Sequence, residues 1–154
     1  MKLFEKQGVM AGWNRLDAWM VRVMRVYGIP LLRITLAIVF IWFGVLKLIG
    51  RSPVGELIAQ TVYWLPPERF VPWLGLWELV VGLGLLFRVA LRLTLLLFWL
   101  QMAGTCLVLV LRPDIAFQGG NPVFLTTEGE FVIKNLVLIA AGIVVGSTVE
   151  RRNV

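Results

Sequence analysis

Histidine is absent from this chain, and cysteine occurs once. Without imidazole, bis-histidine haem ligation, histidine proton relays and most zinc sites are excluded, and no metal site is expected. The single thiol, Cys106, lies inside an apolar run. It can form no internal disulfide, no Cys-X-X-Cys redox pair and no iron–sulfur cluster, and it reads as a small packing residue. Charge is scarce as well, at 16% of residues against the roughly 25% usual in soluble domains. No residue set suggests a catalytic centre.

What is present is hydrocarbon. Apolar residues make up 59% of the 154, and mean hydropathy is +0.86. Four apolar runs approach the ~20 residues a helix needs to cross ~30 Å of bilayer. The expected fold is all-α, a bundle of four transmembrane helices over residues 30–150, with spans near 31–50, 72–87, 93–111 and 131–148. Residues 1–29 form a separate segment. There Trp13, Leu16, Met20, Val23 and Tyr27 recur at spacings of three and four, with Arg15, Arg22 and Arg25 mostly opposite. That pattern predicts an amphipathic helix in the membrane surface rather than a signal peptide. Gly28 and Pro30 are expected to break it. A second, short amphipathic helix is expected on the outer side, started by Ser52-Pro53 and stopped by Pro66-Pro67.

The net charge of +6 does not imply a nucleic-acid partner, because the basic residues sit at the ends of apolar runs, where lipid head groups are their partners. Ten Lys/Arg, Arg33 included, fall on the side of the N-terminal segment, the Arg88–Arg92 turn and the tail; five fall on the other. Positive residues stay inside, so both termini are expected in the cytoplasm. Trp13, Trp19, Trp64 and Trp73 read as interfacial belt residues. Trp42, Trp77 and Trp99 lie within spans, where they contact lipid, core or a pocket.

Charged residues within spans cost a few kcal/mol each and need a reason. Arg33, Ala37, Phe40, Gly44 and Lys47 share one seam of the first span. Gly75, Glu78 and Gly82 share a face of the second whose glycines permit close helix contact. Thr94, Gln101, Gly104 and Thr105 form a polar stripe on the third. Lys134, Asn135, Leu138, Ala141, Gly142 and Val145 align on the fourth. Counting from the expected span ends puts Lys47, Glu78 and Lys134 at one depth, with Glu78 between two lysines and Gln101 deeper. Lys47, Glu78, Gln101, Lys134 and Asn135 are therefore the candidate ligand-binding residues. The alternative is structural: snorkelling lysines and a carboxylate that only ties helices together. Arg33 reads as a snorkelling anchor.

Leu32-Arg33-Ile34 with Phe43-Gly44-Val45-Leu46-Lys47, Trp77-Glu78-Leu79-Val80-Val81-Gly82-Leu83-Gly84-Leu85-Leu86, and the run from Glu128 through Lys134-Asn135 to Leu138 resemble the DoxX-like family of small bacterial four-helix membrane proteins. The resemblance extends in order from Leu31 to Thr148. It implies a multi-pass protein of the bacterial cytoplasmic membrane, associated with sulfur oxidation as the membrane subunit of a thiosulfate:quinone oxidoreductase, or with membrane complexes in oxidative stress. Nothing in the chain carries electrons alone, so a redox role requires quinone or a cofactor-bearing partner. Three readings follow: a quinone- or lipid-handling subunit with no covalently bound cofactor; a non-catalytic accessory subunit, in contact with other membrane subunits or further copies of itself; and a small transporter or channel.

Overall fold

The structure, a computed structural model, describes residues 2–149, with side chains from residue 13 onward. The described residues are helical throughout their ordered elements. Helix α1 (Lys2–Leu48) is followed by α2 (Gly55–Thr61), α3 (Pro67–Phe87), α4 (Leu91–Cys106), α5 (Val108–Leu111), α6 (Pro113–Ala116) and α7 (Thr127–Gly146). The only extended pairing among them is an isolated bridge between Phe117 and Leu125. Four stretches are long and apolar enough to cross a membrane: Trp13–Leu48, Pro67–Phe87, Leu91–Leu111 and Thr127–Gly146.

Chain contacts define two units, Met1–Leu32 and Arg33–Val154. In the first, the side chains of Trp13, Trp19, Met24 and Tyr27 are all exposed. The helix expected to break at Gly28 and Pro30 does not break there, since Pro30 lies inside α1. Proline removes one backbone donor, yet membrane-spanning helices tolerate it where other groups re-satisfy the freed carbonyl.

The second unit is a four-helix bundle built on close backbone approach. The Arg33–Leu48 stretch of α1 runs against α3 in a regular register. A Cβ added at Gly44 would meet the Gly75 carbonyl oxygen at 2.7 Å, and one at Gly82 would meet Ile41 and Ala37. The glycine face read from the sequence is therefore the α1–α3 contact. Phe40 crosses the interior to Phe98 of α4 at 5.3 Å between centroids, and Phe43 meets Phe131 of α7 at 6.4 Å. Gly142 of α7 receives the Phe98 ring. The core holds Ala37, Phe40, Val81, Leu85, Phe98, Met102, Val132 and Val145, while Ile38, Trp42, Leu93, Leu96, Val137 and Ile143 point outward. Apolar residues outside as well as inside suit a bundle solvated by hydrocarbon.

Two helix ends differ from expectation. Pro66-Pro67 opens α3 rather than closing α2: Pro67 is its first residue, Pro66 its cap, and Pro72 lies within it. Proline at the first helical position has its φ preset and forfeits only a donor that is unpaired there anyway. Helix α7 begins at Thr127, because the Thr126 hydroxyl accepts the Gly129 N–H at 3.0 Å, and Glu128 and Glu130 suit the positive end of the helix. The turn between α3 and α4 is tight, with Arg88 and Ala90 both left-handed, at φ 57° and 44°.

Candidate functional site

Lys47 occupies the last turn of the first span, on the seam facing α3, and is only 3% exposed. Its ammonium reaches Glu78 with both carboxylate oxygens in range, Nζ to Oε2 at 2.6 Å and to Oε1 at 2.8 Å. The Phe43 ring lies 5.8 Å from the same nitrogen. Glu78 is buried at the middle of α3. Its Oε1 also accepts Gln101 Nε2 of α4 at 2.8 Å. Asn135 of α7 is buried nearby in the wall of the same cavity.

Four of the five candidate residues therefore line one cavity, and Lys134 does not. It is exposed and paired with Glu130, one turn earlier, at 3.0 Å. Lys134 and Asn135 are consecutive and lie about 100° apart on the helix, so only one can face the interior. The amide goes in at lower desolvation cost, and the ammonium goes out to a Glu N-terminal to it, the favourable orientation for such a pair. Glu78 thus sits between one lysine and one amide rather than between two lysines. Gln101 is in direct contact with the carboxylate rather than deeper. The difference in depth follows from the start of α3: with Pro67 first, Glu78 lies about three turns inside, level with the middle of α4.

The cavity encloses about 450 Å³. Its walls are mostly apolar and aromatic, with Phe43, Trp73 and Trp77 among them, and the polar cluster forms one part of its lining. Trp77 is anchored by its Nε1, which donates to the Leu97 carbonyl at 3.2 Å. Of the three tryptophans placed within spans, Trp77 lines the cavity, whereas Trp42 faces outward and Trp99 packs edge-on against Phe98.

Helix α2 covers the cavity with Leu57, Ile58 and the buried Thr61. It is fastened at its C-terminal end by Arg112, whose Nη1 donates to the Gln60 carbonyl at 2.8 Å. The same guanidinium holds Asp114 through Nε and Nη2, at 3.1 and 2.8 Å. That hydrogen bonding lowers the Asp114 carboxyl below its ordinary range. The amphipathic spacing of α2 was legible, but the Arg112 contact joins residues far apart in the chain and left no local signal. Arg33 has a sharper role than an anchor: its Nη1 donates to the carbonyls of Leu85 and Leu86, satisfying the C-terminal end of α3.

Among the described residues, no group of three or more His, Cys, Asp or Glu is placed to hold a metal. One buried side-chain polar atom among them has no hydrogen-bond partner, Gln101 Oε1. The arrangement can receive an amphiphile: an apolar body against aromatic walls and a polar head beside a fixed ion pair and amides. Compared with known proteins, the chain matches no family model, no curated protein and no solved structure.

Proposed function

We propose that this chain is a DoxX-like protein of the bacterial cytoplasmic membrane that holds a quinone, or a lipid of similar build, in the cavity between α2 and the bundle. Lys47, Glu78, Gln101 and Asn135 receive the head group, and the tail lies along the apolar wall. The protein serves redox or oxidative-stress processes as a membrane subunit, with electrons carried by the quinone or by a partner. Both termini are in the cytoplasm, as the ten-to-five division of Lys/Arg predicts.

The observation that carries this reading is a cavity of about 450 Å³, within the ordinary range for small-molecule sites, with a buried ion pair in an otherwise apolar lining. A helix tie alone does not need such a pair, because well-packed apolar side chains hold helices together as well or better. A ligand head group supplies the need.

The test uses the tryptophans of the wall. In detergent micelles, decylubiquinone should quench the fluorescence of Trp64, Trp73 and Trp77 saturably. The variant Gly104→Phe should lose that saturable component. Gly104 lines the cavity, and a Cβ there meets nothing within 4 Å, so a side chain can leave the backbone at this position without moving a helix. Linear, partition-type quenching in both proteins would remove the quinone site.

A further inference from the structure

The polar groups of the cavity wall differ in how much of their hydrogen-bonding capacity is already in use. Lys47, Glu78 and Gln101 bond one another across three helices. The wall threonines give their protons to their own helices, Thr61 to the Leu57 carbonyl and Thr105 to the Gln101 carbonyl. Asn135 is different. Its side chain makes no hydrogen bond among the described residues, although the residue is only 7% exposed. Nor is its amide shut off. Among the described residues the polar atom sealed without a partner is Gln101 Oε1, so Asn135 Oδ1 and Nδ2 both reach open space. That space is the cavity, which Asn135 lines together with Phe131, Val132 and Leu138, its neighbours one turn away on either side. An amide desolvated to this degree is costly until something bonds to it.

Charge narrows the choice of occupant further. Among the described residues that line the cavity, Lys47 and Glu78 alone are charged, and they neutralise each other at 2.6 Å. Lys134 and Arg112 lie outside the lining, each beside its own carboxylate. A ligand with a net charge therefore enters an apolar chamber that has no counter-ion to spare, and the loss of its water goes uncompensated. An uncharged head group escapes that cost. An amide, with both a donor and an acceptor to offer, matches a carbonyl or a hydroxyl on such a head. We propose that the cavity selects electroneutral amphiphiles over lipids with a net charge, and that the Asn135 amide is the group that bonds the head. This rests on the ligand-binding reading above. A quinone and an uncharged lipid share this chemistry and differ only in source.

Calorimetric titration of the full chain in detergent micelles tests both parts, at about pH 9, where a carboxyl group is ionised. The ligands are decylubiquinone, lauramide and laurate. Lauramide and laurate share one chain and have heads of nearly equal size, and they differ by a single charge. The wild type should bind decylubiquinone, and should bind lauramide at least about a hundredfold more tightly than laurate. Asn135→Leu, similar in volume, should weaken both neutral ligands about tenfold, the size of effect one hydrogen bond supplies. Laurate bound as tightly as lauramide, or neutral ligands bound as well by Asn135→Leu as by the wild type, would overturn the inference. Decylubiquinone binding in either case leaves the quinone site standing. Lauramide bound over laurate, with decylubiquinone unbound, would support selection by charge and overturn the quinone reading. Should decylubiquinone alone bind, its affinity for Asn135→Leu decides: a tenfold loss supports the assignment, and no loss overturns it. Absence of binding by all three would overturn both readings. The wild-type ratio of lauramide to laurate decides the charge selection even if Asn135→Leu fails to fold.

Discussion

Lys47, in the last turn of α1, and Lys134, in the first half of α7, are the same residue type, and their surroundings set opposite expectations for removing them. Lys47 is buried on Glu78, so Lys47→Met leaves a carboxylate inside the bundle with only the Gln101 amide beside it. Breaking one side of a buried pair costs about 3–5 kcal/mol. The double variant Lys47→Met/Glu78→Met removes both charges and should recover most of that loss, because the desolvation cost goes with them. Lys134→Met removes an exposed pair and should change stability by less than about 1 kcal/mol. Thermal unfolding in detergent, followed by circular dichroism, reads all three variants. A double variant as unstable as Lys47→Met would refute the charge-pair account. At this scale the sequence was partly legible. The seam from Arg33 to Lys47 and the face of Glu78 were readable because helical periodicity fixes which residues share a side. The choice between Lys134 and Asn135 was not, since it depends on what lies opposite.

At the scale of elements, helix ends decided the geometry of the site. Moving the start of α3 to Pro67 shifts Glu78 inward and brings it level with Gln101, and local proline chemistry permits either a stop or a start at Pro66-Pro67. Arg33 closes the far end of α3 by donating to Leu85 and Leu86, and Lys47 holds Glu78, so α1 fixes α3 at its C-terminal end and at its middle. The cover helix α2 depends on Arg112. In Arg112→Ala, hydrogen exchange of the amides in Gly55–Thr61 should accelerate markedly while those of α4 and α7 stay protected. Unchanged exchange in α2 would show that its apolar face alone holds it. The pH dependence has a definite sign. Asp114 has a lowered folded pKa, chiefly because Arg112 hydrogen-bonds its carboxylate. Its contribution is therefore present above the ordinary aspartate value and is lost only as pH falls through the still lower folded value. Attachment of α2 should accordingly be flat from neutral pH down to mild acid. Asp114→Asn at pH 7 should leave it largely intact, since the bond to Gln60 uses a different guanidinium nitrogen.

At the scale of the whole molecule, the exterior carries the argument for a membrane. Residues such as Ile38, Leu76, Leu93, Leu96, Val137 and Ile143 are exposed around the bundle, a surface that water would not tolerate and hydrocarbon does. The proposed orientation predicts a labelling pattern. In a Cys106→Ser background, Arg51→Cys and Val123→Cys should react with a membrane-impermeant maleimide on intact cells. Val89→Cys and Ser147→Cys should react only after permeabilisation. The reverse pattern would invert the topology while leaving the bundle unchanged.

The number of helices long and apolar enough to cross a membrane and the all-helical class were set by the sequence itself, because they depend on local hydropathy and periodicity. These are sums over neighbours in the chain. The cavity under α2, the single lysine on Glu78, the direct Gln101 contact and the orphaned Gln101 oxygen were decided by tertiary structure. Each arises where separate helices meet, and a few ångströms of axial offset determine which groups come within hydrogen-bond range.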